Sequence, residues 1–319
     1  MPYDKSMRTK NIITFFEIEG LVYKPRQNEG IVVMRKNNLI ENLNNEYKFL
    51  INKFGEINFY KSMIHKTKKS KYIELKKQQK ISQTLLIDKE PTSMTQFSYR
   101  DMSGFLQTIG FIEKNIDELI HSLDYHHNRQ YQLLLVSAFE SYIKFVETSY
   151  TLIKNYNVEI LALDKGDKFA YYNVIKQLRN RIECFIECEN GNFFDKSNNK
   201  ESGKNYLFLM QMVKEFRDAI VHQEGENISV DKIYEEILKH RKDDLLIDDI
   251  KEYKEEIAIY FGNDEYVNMI CLSEIYKNDN RYTCRLSILL GVIISYASFL
   301  NKSFIRLVSD TNEATLNLK

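Results

Sequence analysis

The chain has 319 residues, enough for one large domain or two modest ones, and its 45 basic residues balance 45 acidic ones. Hydrophobic residues make up 43% of the sequence, so a core can be buried and a disordered chain is excluded. With only 3 prolines and 11 glycines, the composition excludes a collagen-like repeat and favours helices over a many-turned sandwich or barrel.

Residues 1–95 form an N-terminal region of mixed pattern. Short apolar, β-branched runs at residues 12–23 and 30–34 are separated by a polar stretch, which predicts a small β-hairpin. Apolar residues at helical spacing then predict a helix over residues 39–54. The break at Pro91, which precedes two residues with helix-capping hydroxyls, places a domain boundary near residue 95.

A Lys-rich segment lies within this region, between Lys61 and Lys80. It contains eight lysines and a single acid, Glu74. Such a strip can bind a polyanion even when the whole chain is neutral. The alternative interpretation is a solvated helix face that has no partner.

Residues 96–308 have the pattern of a mainly α domain, and residues 309–319 form a C-terminal tail. The predicted helices cover residues 95–123, 128–155, 168–187, 204–222, 229–240, 246–261 and 282–308. Gly225 suits a left-handed turn that ends the fourth of these helices.

The sequence predicts a cytoplasmic protein with no membrane partner. Its four cysteines show no disulfide framework, which suits a reducing compartment. No apolar run typical of a signal peptide stands at the N-terminus. The most apolar stretch, residues 286–300, is shorter than the ~20 residues of a membrane span, so we expect a buried core helix there.

The hexapeptide Arg217-Asp218-Ala219-Ile220-Val221-His222, at the end of the fourth helix, is the strongest candidate site. Asp218 and His222 are four residues apart and share a helix face, so the carboxylate can orient the imidazole and raise its pKa. Arg217 adds a fixed cationic fork that suits phosphate oxygens. The alternative is a histidine held by the helix dipole beside an ordinary Arg217 salt bridge.

Metal-free RNA cleavage needs a base for the 2′-hydroxyl, an acid for the leaving 5′-oxygen and a cation for the phosphate. One Arg and one His supply part of this set. On an ideal helix Arg217 and His222 point ~140° apart, so one copy cannot easily close both around one phosphate. Either the helix distorts or a second protomer supplies the missing group.

The Arg-x-x-x-x-His pattern at a helix end resembles the signature of HEPN domains, in which two motifs face each other across a dimer. The segment from Ser137 to Tyr142, with Glu140, resembles the first long helix of such bundles, and the similarity covers residues 96–308. It implies a four-to-five-helix bundle with metal-independent endoribonuclease activity in toxin–antitoxin, abortive-infection or CRISPR-linked defence. Asp218 departs from the Asn or His common at its position, which leaves room for a non-catalytic domain.

The resemblance assigns roles to individual residues. We expect His222 to be the general acid or base, Arg217 to clamp the phosphate, Asp218 to orient His222, and Glu140 to support the pair. No metal or cofactor is expected, whereas RNA, a second copy of the chain and an antitoxin or regulatory protein are expected partners. The predicted RNA-binding residues are Lys66, Lys68, Lys69, Lys71, Arg179 and Arg181. The alternative function is a non-catalytic module that binds RNA, a nucleotide or a protein.

A second group of candidate residues is His121, His126 and His127, which cluster near Asp124. Imidazole and carboxylate groups bind zinc, but this spacing matches no common zinc pattern. We therefore favour a polar corner between helices. Cys184 and Cys188 are similarly interpreted as core thiols and not as a redox pair.

Overall fold

The computed structural model describes residues 36–84, 92–100, 106–157, 161, 171–183, 185–189, 205–223, 227–241, 250–262, 269–273, 275–278 and 281–310. These lie in the compact unit that spans Lys36–Lys319. The β-hairpin predicted at residues 12–34 and the turn at Gly225 lie outside the described residues.

The described part of the chain is mostly helical, which confirms the predicted mainly α class. Its elements in chain order are α1 (Lys36–Thr84), β1 (Thr92–Arg100), β2 (Leu106–Asn115), α2 (Ile116–Tyr156), α3 (Tyr171–Arg181), α4 (Phe185–Glu189), α5 (Tyr206–Gln223), α6 (Val230–Arg241), α7 (Ile250–Ala258), β3 (Ile275–Asn278), β4 (Arg281–Cys284) and α8 (Arg285–Asp310). The helices predicted near α2, α5, α6, α7 and α8 are confirmed.

The helix predicted over residues 95–123 is wrong in its first part. β1 and β2 pair there as an antiparallel hairpin, with an irregularity between Phe97 and Ser98, and helix begins only at Ile116. Both strands contain aromatic and β-branched residues, among them Thr95 and Phe97 in β1 and Ile109 and Phe111 in β2, which favour the extended conformation. The helix predicted over residues 168–187 is also interrupted, because α3 ends at Arg181 and α4 begins at Phe185.

The centre of the bundle is α2, against which α1, α5 and α8 pack. Tyr47 of α1 contacts Phe145 of α2, and Lys68 forms an ion pair with Asp124, so the two helices run antiparallel. The chain divides between Arg35 and Lys36, whereas the sequence pattern places the boundary near residue 95. Helix α1 packs into the bundle because its buried stripe, which includes Leu39, Leu43, Leu50, Phe54 and Ile57, continues the apolar core.

Helix α8 contributes many buried apolar side chains to the core. By length and composition alone, α8 is the one described helix that could cross a membrane. Within the bundle it packs against α1, α2 and α5, and Leu289, Ile293 and Phe304 are fully buried. Packing inside the protein therefore offers another reason for its apolar sequence.

Two buried polar side chains of α2 anchor the segment before the β3–β4 hairpin. The Asn128 amide donates to the Ile270 carbonyl at 2.8 Å, and its oxygen accepts from the backbone of Leu272 at 2.7 Å and of Ser273 at 3.2 Å. Gln132 donates to the same Ile270 carbonyl at 2.8 Å. These hydrogen bonds satisfy buried backbone N–H and C=O groups that would pair with a neighbouring strand in a sheet.

His127 of α2 is buried, with 4% of its surface exposed, and its ring lies 4.6 Å from that of Tyr131. Neither ring nitrogen has a hydrogen-bond partner among the described residues. Burial lowers the pKa of this imidazole from 6.5 to about 4, with Lys68 and His65 of α1 acting in the same direction and Asp124 opposing them. The α1–α2 interface therefore holds a neutral histidine at pH 7.

Replacing Asn128 by alanine should lower the free energy of unfolding by about 2–3 kcal/mol, because buried backbone groups lose their partner. Urea denaturation measures this. Asn52→Ala, an exposed change on α1, is the control and should shift stability by less than about 0.5 kcal/mol. An Asn128→Ala protein as stable as the control would contradict the anchoring role.

Acid should destabilise the α1–α2 interface through His127. An unfolded chain binds a proton at this histidine below its ordinary pKa of 6.5, while the folded chain resists protonation until about pH 4. Above pH 6.5 His127 is neutral in both states and costs no stability. As the pH falls from 6.5 to 4 the free energy of unfolding decreases by roughly 3 kcal/mol, because only the unfolded chain readily gains the proton. The unfolding free energy of wild type should fall more steeply over this range than that of His127→Gln. His126→Gln, an exposed neighbour, should follow wild type, and parallel curves for all three proteins would refute the prediction.

Candidate functional site

Helix α5 buries one stripe and places charged residues at its edge. Leu209, Val213, Phe216 and Ile220 are buried, and their helical spacing places them on one side of the helix. Arg217 and Asp218 lie half-buried beside this stripe, and Val221 and His222 are exposed at the C-terminal end of the helix. Packing of the stripe therefore fixes the direction in which the predicted motif points.

The Arg217 guanidinium binds two carboxylates. Its Nη1 donates to Asp218 Oδ1 at 2.9 Å, and its Nη2 donates to the Glu140 carboxylate of α2. Its Nε is buried and has no hydrogen-bond partner among the described residues. The structure thus brings together three of the predicted catalytic residues from two helices.

Asp218 also accepts a hydrogen bond from a residue that the sequence analysis missed. Lys214 Nζ donates to Asp218 Oδ2 at 2.9 Å and lies 3.0 Å from Glu215 Oε1. Burial alone would raise the pKa of Asp218, but the bonds from Lys214 and Arg217 outweigh it and hold the pKa below 3.8. The sequence could have indicated this contact, because Lys214 precedes Asp218 by four residues and oppositely charged residues at this spacing pair on a helix.

His222 does not interact with Asp218 in the way that the sequence predicted. Both Asp218 oxygens accept hydrogen bonds from other side chains, and no hydrogen bond to the His222 ring occurs within the described residues. His222 is exposed at the end of α5, open to a ligand or a second copy. Its role as acid or base stays a prediction.

The predicted RNA-binding residues fall into different environments. Lys66, Lys69 and Lys71 are exposed on α1, while Lys68 forms an ion pair with Asp124 at 2.5 Å. Lys71 also forms an ion pair within α1, with Glu74. This part of α1 is therefore basic and largely open to solvent.

Arg179, predicted from the sequence to bind RNA, points into the bundle. Its side chain is 12% exposed and its Nε donates to Glu189 Oε2 at 2.7 Å, while the Glu189 side chain is fully buried. Tyr296 of α8 donates to the other Glu189 oxygen at 2.5 Å. A buried carboxylate needs such partners, so Arg179 serves the core, whereas Arg181 is exposed at the end of α3.

The histidines of α2 do not form a metal site within the described residues. His121 and His126 are exposed while His127 is buried, and no group of three His, Cys, Asp or Glu residues in this part of the chain is placed to hold a metal ion. Cys184 lies outside the described residues.

Comparison of the chain with protein-family models, with curated proteins and with solved structures finds no match. The interpretation of the site therefore depends on its own geometry.

Lys214→Met should raise the pKa of Asp218, because the carboxylate loses a hydrogen bond and a neighbouring positive charge while it stays partly buried. A carboxyl NMR titration measures this pKa directly. With a folded pKa below 3.8, Asp218 stabilises the wild type at neutral pH and loses this contribution as the pH falls below 3.8. Lys302→Met, an exposed change on α8, should leave the titration unaltered, and an equal shift in both variants would refute the assignment.

Proposed function

We propose that the protein is a metal-independent endoribonuclease of HEPN type. The observation that carries this proposal is the geometry of Arg217, a partly exposed guanidinium held by carboxylates on two helices, with the exposed imidazole of His222 at the end of the same helix. A cation held in one orientation can stabilise charge that develops on a phosphate without reorganising during the reaction.

The proposed reaction transfers a phosphoryl group within the RNA. The 2′-oxygen attacks the adjacent phosphorus and loses its proton to a base, and the bond to the 5′-oxygen breaks as that oxygen gains a proton from an acid. The products are a 2′,3′-cyclic phosphate and a free 5′-hydroxyl. His222 is the proposed acid or base, and Arg217 binds the non-bridging phosphate oxygens.

A homodimer completes the proposed site. Arg217 and His222 point ~140° apart on one helix, so a second protomer supplies the second group. Val221, one turn beyond Arg217 on α5, is 46% exposed, and Leu133, two turns before Glu140 on α2, is 63% exposed. Both lie on the helix faces that carry the Arg217–Glu140 pair, where a second protomer would cover them.

Helix α1 supplies the proposed RNA path. Lys68 lies against Asp124, and Glu140 follows Asp124 by sixteen residues on α2, which corresponds to ~24 Å at the helical rise per residue. Exposed Tyr60 and Tyr72 stand among the lysines of α1 and can stack on bases. At ~100° per residue the two positions also lie ~160° apart around α2, so an RNA strand that contacts both the lysines of α1 and the Arg217 site has to pass around this helix.

The resemblance to HEPN domains extends the proposal to biology. We place the protein in the cytoplasm as a toxin or anti-phage defence effector, with an antitoxin or regulatory protein as its partner.

One observation favours a second function, a non-catalytic module that binds RNA, a nucleotide or a protein. Both oxygens of Asp218 are engaged by Arg217 and Lys214, so His222 lacks the carboxylate that would orient it for proton transfer. Such a module would bind RNA through the same cations without cutting it.

Wild-type protein in EDTA should cleave single-stranded RNA into fragments that end in a 2′,3′-cyclic phosphate. Arg217→Ala and His222→Ala should each lower the rate by roughly 100-fold or more, because they remove the phosphate clamp and the proton-transfer group. Arg306→Ala and His126→Ala, which change exposed residues elsewhere, are the controls. Gel electrophoresis with mass analysis of the fragment ends measures the outcome.

Mixing the two inactive variants tests the shared site. If each site takes Arg217 from one protomer and His222 from the other, random heterodimers recover about a quarter of wild-type sites. No recovery would assign both residues to one protomer. Activity that survives in both single variants, or that disappears in EDTA, would overturn the proposed mechanism, and RNA binding without cleavage would favour the non-catalytic module.

A further inference from the structure

The position on Arg217 that suits a phosphate oxygen is occupied by the Glu140 carboxylate. Both terminal nitrogens of the guanidinium donate to carboxylates, Nη1 to Asp218 and Nη2 to Glu140. A carboxylate and a phosphodiester present similar anionic oxygens to such a fork. Glu140 therefore stands where a ligand phosphate would bind.

The charges around Arg217 disfavour an incoming anion. The ion-paired cluster contains two cations, Arg217 and Lys214, and three carboxylates, which belong to Glu140, Asp218 and Glu215. With every group ionised, its net charge is minus one. A phosphodiester that approached this cluster unchanged would meet net repulsion.

The three carboxylates are held to different degrees. Asp218 accepts from both Lys214 and Arg217, and buried Glu215 accepts from Lys214 and from Gln211 at 2.6 Å. Glu140 belongs to another helix, is 49% exposed, and makes its ion pair with Arg217 alone among the described residues. Rotation into solvent therefore costs Glu140 one contact, while the other two carboxylates each lose two.

We infer that Glu140 is a displaceable anion that sets the affinity of the Arg217 site for phosphodiesters. When a ligand phosphate binds Nη2, the Glu140 side chain turns into solvent, and Asp218 keeps the guanidinium in place through Nη1. This inference rests on the proposed function only in taking RNA as the ligand. It predicts that Glu140 weakens RNA binding at this site, whereas the resemblance implies that Glu140 supports it.

The probe is a fluorescently labelled single-stranded RNA oligonucleotide with 2′-O-methyl groups, which lacks the attacking hydroxyl and so reports binding alone. Anisotropy titrations in EDTA compare wild type, Glu140→Gln, Arg217→Ala and the double variant. Glu147→Gln is the matched control, because Glu147 is exposed on the same face of α2, two turns further on, and loses the same charge.

Glu140→Gln should bind the probe about threefold to fivefold more tightly, the size expected for release of one half-exposed ion pair. The gain should vanish in the Arg217→Ala background, where no guanidinium is left to uncover. Glu147→Gln should bind like wild type. Circular dichroism confirms that each variant is folded.

Unchanged or weaker binding by Glu140→Gln would overturn the inference, as would an equal gain in Glu147→Gln or in the Arg217→Ala background. Cleavage of all-ribose RNA separates this result from the proposed function. Wild-type cleavage without tighter binding by Glu140→Gln retains the endoribonuclease and removes the displaceable anion. Tighter binding by Glu140→Gln without cleavage by any of the proteins retains the displaceable anion and removes the endoribonuclease.

Discussion

Burial of the apolar stripe of α5 determines the geometry of the candidate site. Phe216 and Val213 are fully buried between α5 and its neighbours, so the helix cannot rotate about its axis without exposing them. Moving one such side chain into water costs roughly 1.5–3 kcal/mol, more than a half-exposed ion pair contributes. Hydrophobic packing therefore sets where Arg217 and Asp218 point, and the ion pairs form within that frame.

Within this frame the charged groups form a continuous series from α5 to α2. Lys214 holds Asp218, Asp218 holds Arg217, and Arg217 reaches Glu140 on the neighbouring helix. Each group is partly shielded from water, so the attractions are less screened than at an open surface. The series holds the guanidinium on one side through Asp218, which Lys214 also binds, and on the other through Glu140, which is 49% exposed.

The long helices were predictable because their periodicity is local. Buried residues three and four positions apart identify α2, α5 and α8 without reference to the rest of the chain. The β1–β2 hairpin was missed because strand pairing depends on a partner, and because the hydroxyls of Thr92 and Ser93 also suit the start of a helix. The i,i+4 spacing predicted a contact between Asp218 and His222 that does not form within the described residues, and the same spacing should have indicated the Lys214–Asp218 pair. The Glu140 contact joins residues 77 positions apart, so only the family resemblance indicated it. Arg179 was misplaced because its partner Glu189 becomes a neighbour only after α3 and α4 have packed.

The C-terminal half of α1 keeps its helical conformation for a different physical reason from the helices of the bundle. From Lys69 to Lys77 its side chains are largely exposed, so its helical form there depends on its own backbone hydrogen bonds. Lys66 and Lys69, and likewise Lys68 and Lys71, stand three residues apart, where like charges repel and weaken a helix. Any polyanion that neutralises them also removes this repulsion. Helical order in this arm and occupancy by a polyanion are therefore thermodynamically linked, and each raises the equilibrium constant of the other.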